Sequence, residues 1–382
     1  MTRRAGGLAV LVLVAVAGGA EAQSSQFGVR GLGFPLRPLS VRATATGGAF
    51  GLFDPESALN PASIGMVARF SADFQTVQSW RRSESPSGSG SARDNRYPGI
   101  FITGPIGGTR LAMSLSASGY TDRNFSLASR DTITLRGQPV EVLDTLNSQG
   151  GISDLRAALS WRQSPQVQWG FGIHLLTGSN RIFSHRVFTD TSYAGVSENN
   201  TLSYLGVGLS AGVVARLGNM VTLGGMVRAD DHMHIERDTS KVASTKLPLT
   251  ISGGVRIQLG ERLQLAGSGL FRNWSVADAD LVAQGGVGST NTTEISAGLE
   301  FLADPKRPAH HPLRLGVYHA KLPFPLQRGQ DADETAISIG SSLRFGGDRA
   351  GLDLALSRVW RKGAPGFTER AVLLNLGISL RP

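Results

Sequence analysis

The chain has 382 residues, a formal net charge of +9 and no cysteine. The lack of cysteine excludes a disulfide scaffold and a lipidated N-terminus. The positive charge comes from 33 arginines and five lysines scattered singly along the chain, which argues against a phosphate-binding patch.

Residues 1–22 read as a secretory signal. Arg3 and Arg4 form a basic start, Leu8 to Ala17 is a short apolar run, and Ala20-Glu21-Ala22 has the form of a cleavage site. The apolar run is shorter than the ~20 residues a spanning helix needs, and none of that length follows. Mean hydropathy is −0.04. An exported, glycine-rich chain without spanning helices fits an outer-membrane barrel; a secreted β-sandwich or solenoid has the same composition.

Residues 43–65, ATATGGAFGLFDPESALNPASIG, precede every strand-like run. Asp54 is placed to N-cap a short helix with Pro55 at its first position, Asn60 to end it, and Pro61 to block its continuation. Gly47 and Gly48 let the backbone lie close against a wall.

From residue 66 onward the pattern alternates with period two, the mark of strands with one apolar and one polar or small face. Val167, Trp169, Phe171, Ile173 and Leu175 oppose Gln168, Gly170, Gly172 and His174. Leu247, Leu249, Ile251, Val255, Ile257 and Leu259 share another face. Val372, Leu374, Leu376, Ile378 and Leu380 oppose Asn375, Gly377, Ser379 and Arg381. Fourteen runs are predicted, near 66–78, 95–104, 109–120, 151–163, 166–178, 200–217, 220–235, 246–259, 262–274, 292–302, 312–320, 334–345, 349–360 and 369–381. Their lengths suit tilted strands crossing a bilayer, which need about 9–11 residues.

Tight joins such as GPIGG, QSPQ, LGN and GGD alternate with longer polar connections at 79–94, 121–150, 179–199, 236–245, 275–291, 321–333 and 361–368. Short inner turns and long outer loops are the pattern of an outer-membrane barrel, here with both termini periplasmic. Trp80, Trp161, Trp169, Trp274 and Trp360 all fall near predicted strand ends, where an interfacial girdle belongs. The polar face puts Arg156, Arg216, Arg228, Arg256, Arg314, Arg344, Glu294, Glu300 and Asp353 in the lumen, as a salt-bridge network or a charged path. A fourteen-stranded lumen is wide enough to leak, and residues 23–65 are placed to plug it.

Chemistry-bearing clusters are weak. Ser184 and His185 are adjacent on a strand and point to opposite faces, poor geometry for a nucleophile and its base. Asp230, His232 and His234 share a face but read as solvated groups at a loop base, and His310-His311 sits in a proline-rich turn. No catalytic residue, metal or cofactor is expected.

The stretch VRATATGGAFGLFDPESALNPASIG resembles the N-terminal region of the FadL/PorV superfamily of outer-membrane barrels. Arg42, Gly47, Gly48 and Ala49 match the start of that motif, Asp54, Ser57 and Ala58 its middle, and Asn60, Pro61 and Ala62 its end. Two residues usual before Asn60 are absent, and Ser63-Ile64 replaces Gly-Leu. The resemblance implies an all-β, fourteen-stranded antiparallel transmembrane barrel (residues 66–382) with an N-terminal luminal hatch (residues 23–65). In that hatch Arg42, Gly47, Gly48, Asp54, Asn60, Pro61 and Ala62 would seat or gate it. It implies passive transport of small hydrophobic molecules across the outer membrane or, in the PorV branch, a part in protein secretion through the outer loops. A lateral gap in the wall or a kinked strand would favour transport. The expected partners are outer-membrane lipid, the barrel-insertion machinery, and a hydrophobic ligand or secretion proteins, with no nucleic acid. The final NLGISL partly resembles the signal that the insertion machinery reads.

Overall fold

The computed structural model describes residues 25–86, 88–238, 240–307 and 309–381; the expected signal peptide, residues 1–22, lies outside them. The wall strands run in chain order as β1 (Ser71–Ser85), β2 (Gly88–Pro105), β3 (Leu111–Asp122, resuming as Phe125–Leu135), β4 (Gln138–Arg162), β5 (Val167–Phe188), β6 (Val196–Leu217) and β7 (Val221–Asp230, resuming as His232–Arg237). They continue as β8 (Ser240–Lys246, resuming as Thr250–Leu259), β9 (Leu263–Arg272), β10 (Thr292–Phe301), β11 (Leu313–Leu322), β12 (Ala332–Phe345), β13 (Ala350–Lys362) and β14 (Thr368–Leu380). Each pairs antiparallel with the next, and β14 returns to β1 from Thr368↔Glu84 to Leu380↔Ala72. Among the described residues this is a closed, fourteen-stranded transmembrane barrel.

Its polarity is inverted relative to a soluble sheet. Outward positions carry exposed Leu155, Leu159, Phe171, Ile173, Leu209, Ile295 and Ile337, while Ser114, Ser116, Asp154, Arg156, His174 and Ser210 are buried inside. Leaving such apolar side chains in water would forfeit about 1.5–3 kcal/mol each, so a lipid bilayer is the environment this belt fits. Trp161 and Trp169 face each other across β4 and β5 at the short-turn end, and Trp80 and Trp360 also point outward.

Three expectations about the belt and its margins need correction. Trp274 is no girdle residue: β9 ends at Arg272, the chain turns inward through the 3-10 turn Trp274–Ala277, and the indole is 1 % exposed. It packs edge-on against Phe324 at 5.0 Å, in an apolar cluster with Leu32, Met233, Ile235 and Leu247 beneath the far end of the barrel. Leu247 therefore does not share the outward face of Leu249 and Ile251; it lies in the break between the two halves of β8. Most of the predicted outer loops are strands instead. Residues 79–94 belong to the β1–β2 hairpin, and 125–135 pairs with 138–148 across a tight turn at Arg136 and Gly137, both at positive φ. Beyond the bilayer no strand face has to be wholly apolar, so the alternation that marked the belt is interrupted there: Ser129 and Asp131 share a face with Phe125, Leu127, Ile133 and Leu135.

Residues 25–66 lie inside the barrel. Helix α1 (Val41–Ala45) is capped by Ser40, whose Oγ accepts from Ala43 N at 2.9 Å. Asp54 starts no helix. Its carboxylate accepts from the Ser40 hydroxyl and from Glu56 N, because the few residues between Pro55 and Pro61 are too short a run to nucleate one. Asn60 begins a turn rather than ending one: its Oδ1 accepts from Ala62 N at 3.0 Å ahead of the 3-10 helix Pro61–Met66. Pro61 at the first position loses no hydrogen bond there. Of the two glycines expected against the wall, Gly47 lies there, whereas Gly48, at φ +97°, packs on Arg37 and Leu39 of the interior segment itself. Gly47 has φ +66°, and a Cβ on it would lie 2.7 Å from Val317 N.

The ends of the described chain lie at opposite ends of the barrel. Ser25 Oγ donates to Glu369 Oε1 at 2.8 Å where β14 begins, whereas Arg381, just past the end of β14, donates to Glu56 at 2.7 Å. The expectation of both termini on one side fails for the first described residues, which start at the end of the barrel where β14 begins and pass through the 3-10 turn Gln26–Gly28 before α1.

Candidate functional site: a gap in the wall and the cavity behind it

Among the described residues the longest break in the pairing of the wall lies between β2 and β3; a shorter one separates Arg228↔Thr250 from His232↔Lys246 on β7 and β8. Strands β2 and β3 pair only from Gly99↔Ser118 to Pro105↔Ala112. Beyond Gly99, β2 stays with β1 and β3 stays with β4. Local sequence explains the split. Pro98 has no N–H to donate. The β1–β2 register shifts between Gln75 and Val77, opposite the Tyr97-Pro98 dipeptide. Tyr120 is an extra residue in β3, bulged between Gly119↔Ser153 and Thr121↔Ile152. A bulge bends its strand and increases the local twist.

The interior segment takes the place of β2 at the freed edge. Phe34 and Pro35 pair with Asp122 and Thr121, and Leu36 N donates to Tyr120 O at 2.9 Å. Gly119 makes room for this, since any Cβ there would overlap the Leu36 side chain. Behind the gap lies a cavity of ≈ 440 Å³, running from Pro98, Gly119 and Thr121 past Leu36 and Leu39 to Leu373 and Asn375 on β14. A second space of ≈ 490 Å³ opens at the short-turn end and is lined by Arg42, Glu56, Glu300, Arg344 and Arg381. Thr44 faces the first space and Arg42 the second, so α1 stands between them.

The luminal residues read from sequence form two networks. In one, Glu300 accepts from Arg42 at 2.7 Å and from Arg314 at 2.6 Å, and Asp353 joins Arg314 and Arg344. Arg42 thereby anchors the interior segment to β10. In the other, Arg228 bridges Asp154 at 2.6 Å and Asp230 at 2.8 Å, and Arg156 donates to Ala58 O at 2.9 Å. Arg256 lies 5.4 Å above the Phe53 ring, and Glu294 pairs with Arg37. Arg216 has inward parity but is exposed at the short-turn rim, one residue before β6 ends at Leu217. In the interior segment, burial pushes the Glu56 carboxyl above the usual range, Asp54 and Asp353 add to the rise, and Arg381 opposes it.

Several partners lay beyond sequence reasoning. Arg361 holds Glu334 and Glu369, Arg96 sits 3.0 Å from both Asp94 and Asp122, and the Arg37 guanidinium stacks 4.0 Å from the Tyr318 ring. Most of these partners are far apart in the chain, with inward parity the only clue; Asp94 and Arg96, two residues apart on one face of β2, are the pair with a local signal. His174 also gains partners: Nδ1 contacts Asp154 at 2.9 Å and Nε2 contacts Ser210 at 2.9 Å. The void beside Asp154 and His174 is ≈ 30 Å³, room for one or two waters and not for an acyl substrate. Asp230 turns inward to Arg228 while His232 and His234 are exposed, so these three do not converge on a metal.

No family model and no curated protein matches the sequence. Solved structures do match the fold. A Pseudomonas aeruginosa FadL homologue superposes with a TM-score of 0.64 at 16 % identity, covering 91 % of this chain and 99 % of that one. The P. putida toluene transporter TodX gives 0.58 at 11 % identity over 91 % and 99 %, and the monoaromatic hydrocarbon channel CymD 0.56 at 14 % over 91 % and 98 %. The chain has the FadL-type barrel fold. TodX is described as a transporter and CymD as a channel, and none of the three as a secretion component.

Proposed function

We propose that this protein sits in the outer membrane and carries small hydrophobic molecules across it passively, through the gap between β2 and β3. One observation carries the reading: the wall opens at Pro98 and Tyr120, and a cavity leads from that opening into the lumen. A molecule dissolved in the bilayer reaches the gap sideways and never crosses the polar ends of the barrel. Leu36, Leu39 and Leu373 offer it apolar contact inside. Residues 25–66 act as the hatch, and Gly47 to Ile64 is the part that shifts to join the two cavities. No energy source is needed, because a hydrophobic solute moves down its own gradient. The fold's likeness to hydrocarbon and toluene channels supports the solute class, and no catalytic role is assigned.

The test is uptake by proteoliposomes of a labelled hydrocarbon and of a polar solute of similar size. The intact protein should pass the hydrocarbon alone, and a chain lacking residues 23–62 should pass both. Hydrocarbon uptake no faster than in protein-free liposomes would refute the proposal.

A further inference from the structure

We infer that the cavity behind the wall gap selects uncharged molecules bearing a hydrogen-bond acceptor, such as ketones, esters or alcohols, over free carboxylates and over bare hydrocarbons. This rests on the transport reading above and narrows its substrate class.

The first observation is the charge balance. Three guanidinium groups line the cavity, those of Arg37, Arg96 and Arg361. Each is already matched by carboxylates: Arg37 by Glu294, Arg96 by Asp94 and Asp122, and Arg361 by Glu334 and Glu369. Arg81, 3.3 Å from Asp94, and Arg272, beside Glu294, bring cations and carboxylates level. An incoming carboxylate would leave water without finding a free cation.

The second observation is independent. Two neutral polar side chains on this cavity keep a buried atom without a hydrogen-bond partner among the described residues: Asn375 Nδ2 and Thr121 Oγ1. Asn375 is 8 % exposed and Thr121 is 3 % exposed. They stand on β14 and β3, so they reach the cavity from different parts of the wall. A buried amide or hydroxyl is costly to leave unpaired. A carbonyl or ether oxygen entering with an apolar chain satisfies such a donor without bringing charge, and the leucines take the chain. A bare hydrocarbon takes up the apolar contact alone.

The experiment measures binding of radiolabelled 2-undecanone, undecane and undecanoate to the full chain in nanodiscs, against empty nanodiscs, above the acid's pKa. The ketone should bind about tenfold or more tightly than the carboxylate, and several-fold more tightly than the hydrocarbon. Asn375→Leu and Thr121→Val, both close to isosteric, should erase the ketone's advantage over undecane and leave undecane binding intact, which also reports that the barrel has folded. Undecanoate binding as tight as the ketone's overturns the inference. So does equal binding of ketone and hydrocarbon by the native chain; undecane uptake would then leave the transport reading standing. Binding of none of the three overturns both.

Discussion

Valines on the inner wall should loosen the interior segment without harming the barrel. Gly170 on β5 and Gly212 on β6 face the 3-10 turn that begins at Pro61. A Cβ on Gly170 would press into the Pro61 carbonyl and Ala62 N, and one on Gly212 into the Asn60 side chain, with Pro61 Cδ 3.2 Å away. Neither glycine has a positive φ, and valine suits a strand, so the wall itself tolerates both changes. The interior segment cannot give easily where the neighbour is backbone. Overpacking of this kind costs about 1–3 kcal/mol per site, so Gly170→Val with Gly212→Val weakens the seat by roughly 2–6 kcal/mol. Against this stand hydrogen bonds from the wall to the turn: Arg156 to Ala58 O at 2.9 Å, Arg162 to Gly65 O and Ser160 to Ala62 O at 3.2 Å, with Asn60 donating to Val213 O at 3.3 Å. At about 0.5–1.5 kcal/mol for each neutral bond and 1.5–3 for each charged one, they total roughly 4–9 kcal/mol. The overpacking is of the same order, so the single variants should loosen the turn and the double variant should free it for part of the time. Hydrogen exchange over residues 58–65 reads the release, and ion conductance in a planar bilayer reads the opened lumen. A folded double variant with unchanged protection and no conductance would refute this seating.

Other outcomes follow from the same contacts. Arg42→Met should weaken the anchoring of α1 by about 1–3 kcal/mol and no more, because Glu300 keeps Arg314; hydrogen exchange of α1 would show it, and Glu300→Gln in the same chain should remove most of the difference. Trp274→Ala should cost about 3–5 kcal/mol by emptying the cluster around Phe324, whereas Trp80→Ala, at the outer surface, should cost less; equal shifts in thermal unfolding would contradict the inward placement. Deleting residues 25–39 should leave the barrel intact yet free the edge of β3 to which Leu36 N donates, seen as the amide-I shift of an isotope-labelled Tyr120 carbonyl that has lost its N–H partner.

What sequence revealed depended on how local the cause was. The belt was legible because strand geometry puts every second residue on one face, so β5 and β14 showed their outward side chains directly. The outer hairpins were hidden because the apolar face of 125–135, with Phe125, Leu127, Ile133 and Leu135, is interrupted by Ser129 and Asp131. Trp274 was misplaced because proximity to a strand end does not say which way the chain turns next. The gap left one readable sign, Pro98 inside a strand, which marks an unpaired edge. The Tyr120 bulge left none, because an extra residue is visible only against its partner strand. The charge pairs closing the lumen join residues far apart, such as Arg42 and Glu300, and parity predicted their direction but not their partners.

The central claim is lateral entry through the wall, and deletion of Tyr120 tests it most directly. Removing the bulged residue brings Gly119 and Thr121 into continuous register with Ser153 and Ile152, keeps Thr121 facing inward, and takes away the bend that parts β3 from β2. Uptake of a bilayer-dissolved hydrocarbon into proteoliposomes should then fall towards the protein-free rate while the folded barrel persists. Uptake as fast as that of the native chain would contradict entry through the gap.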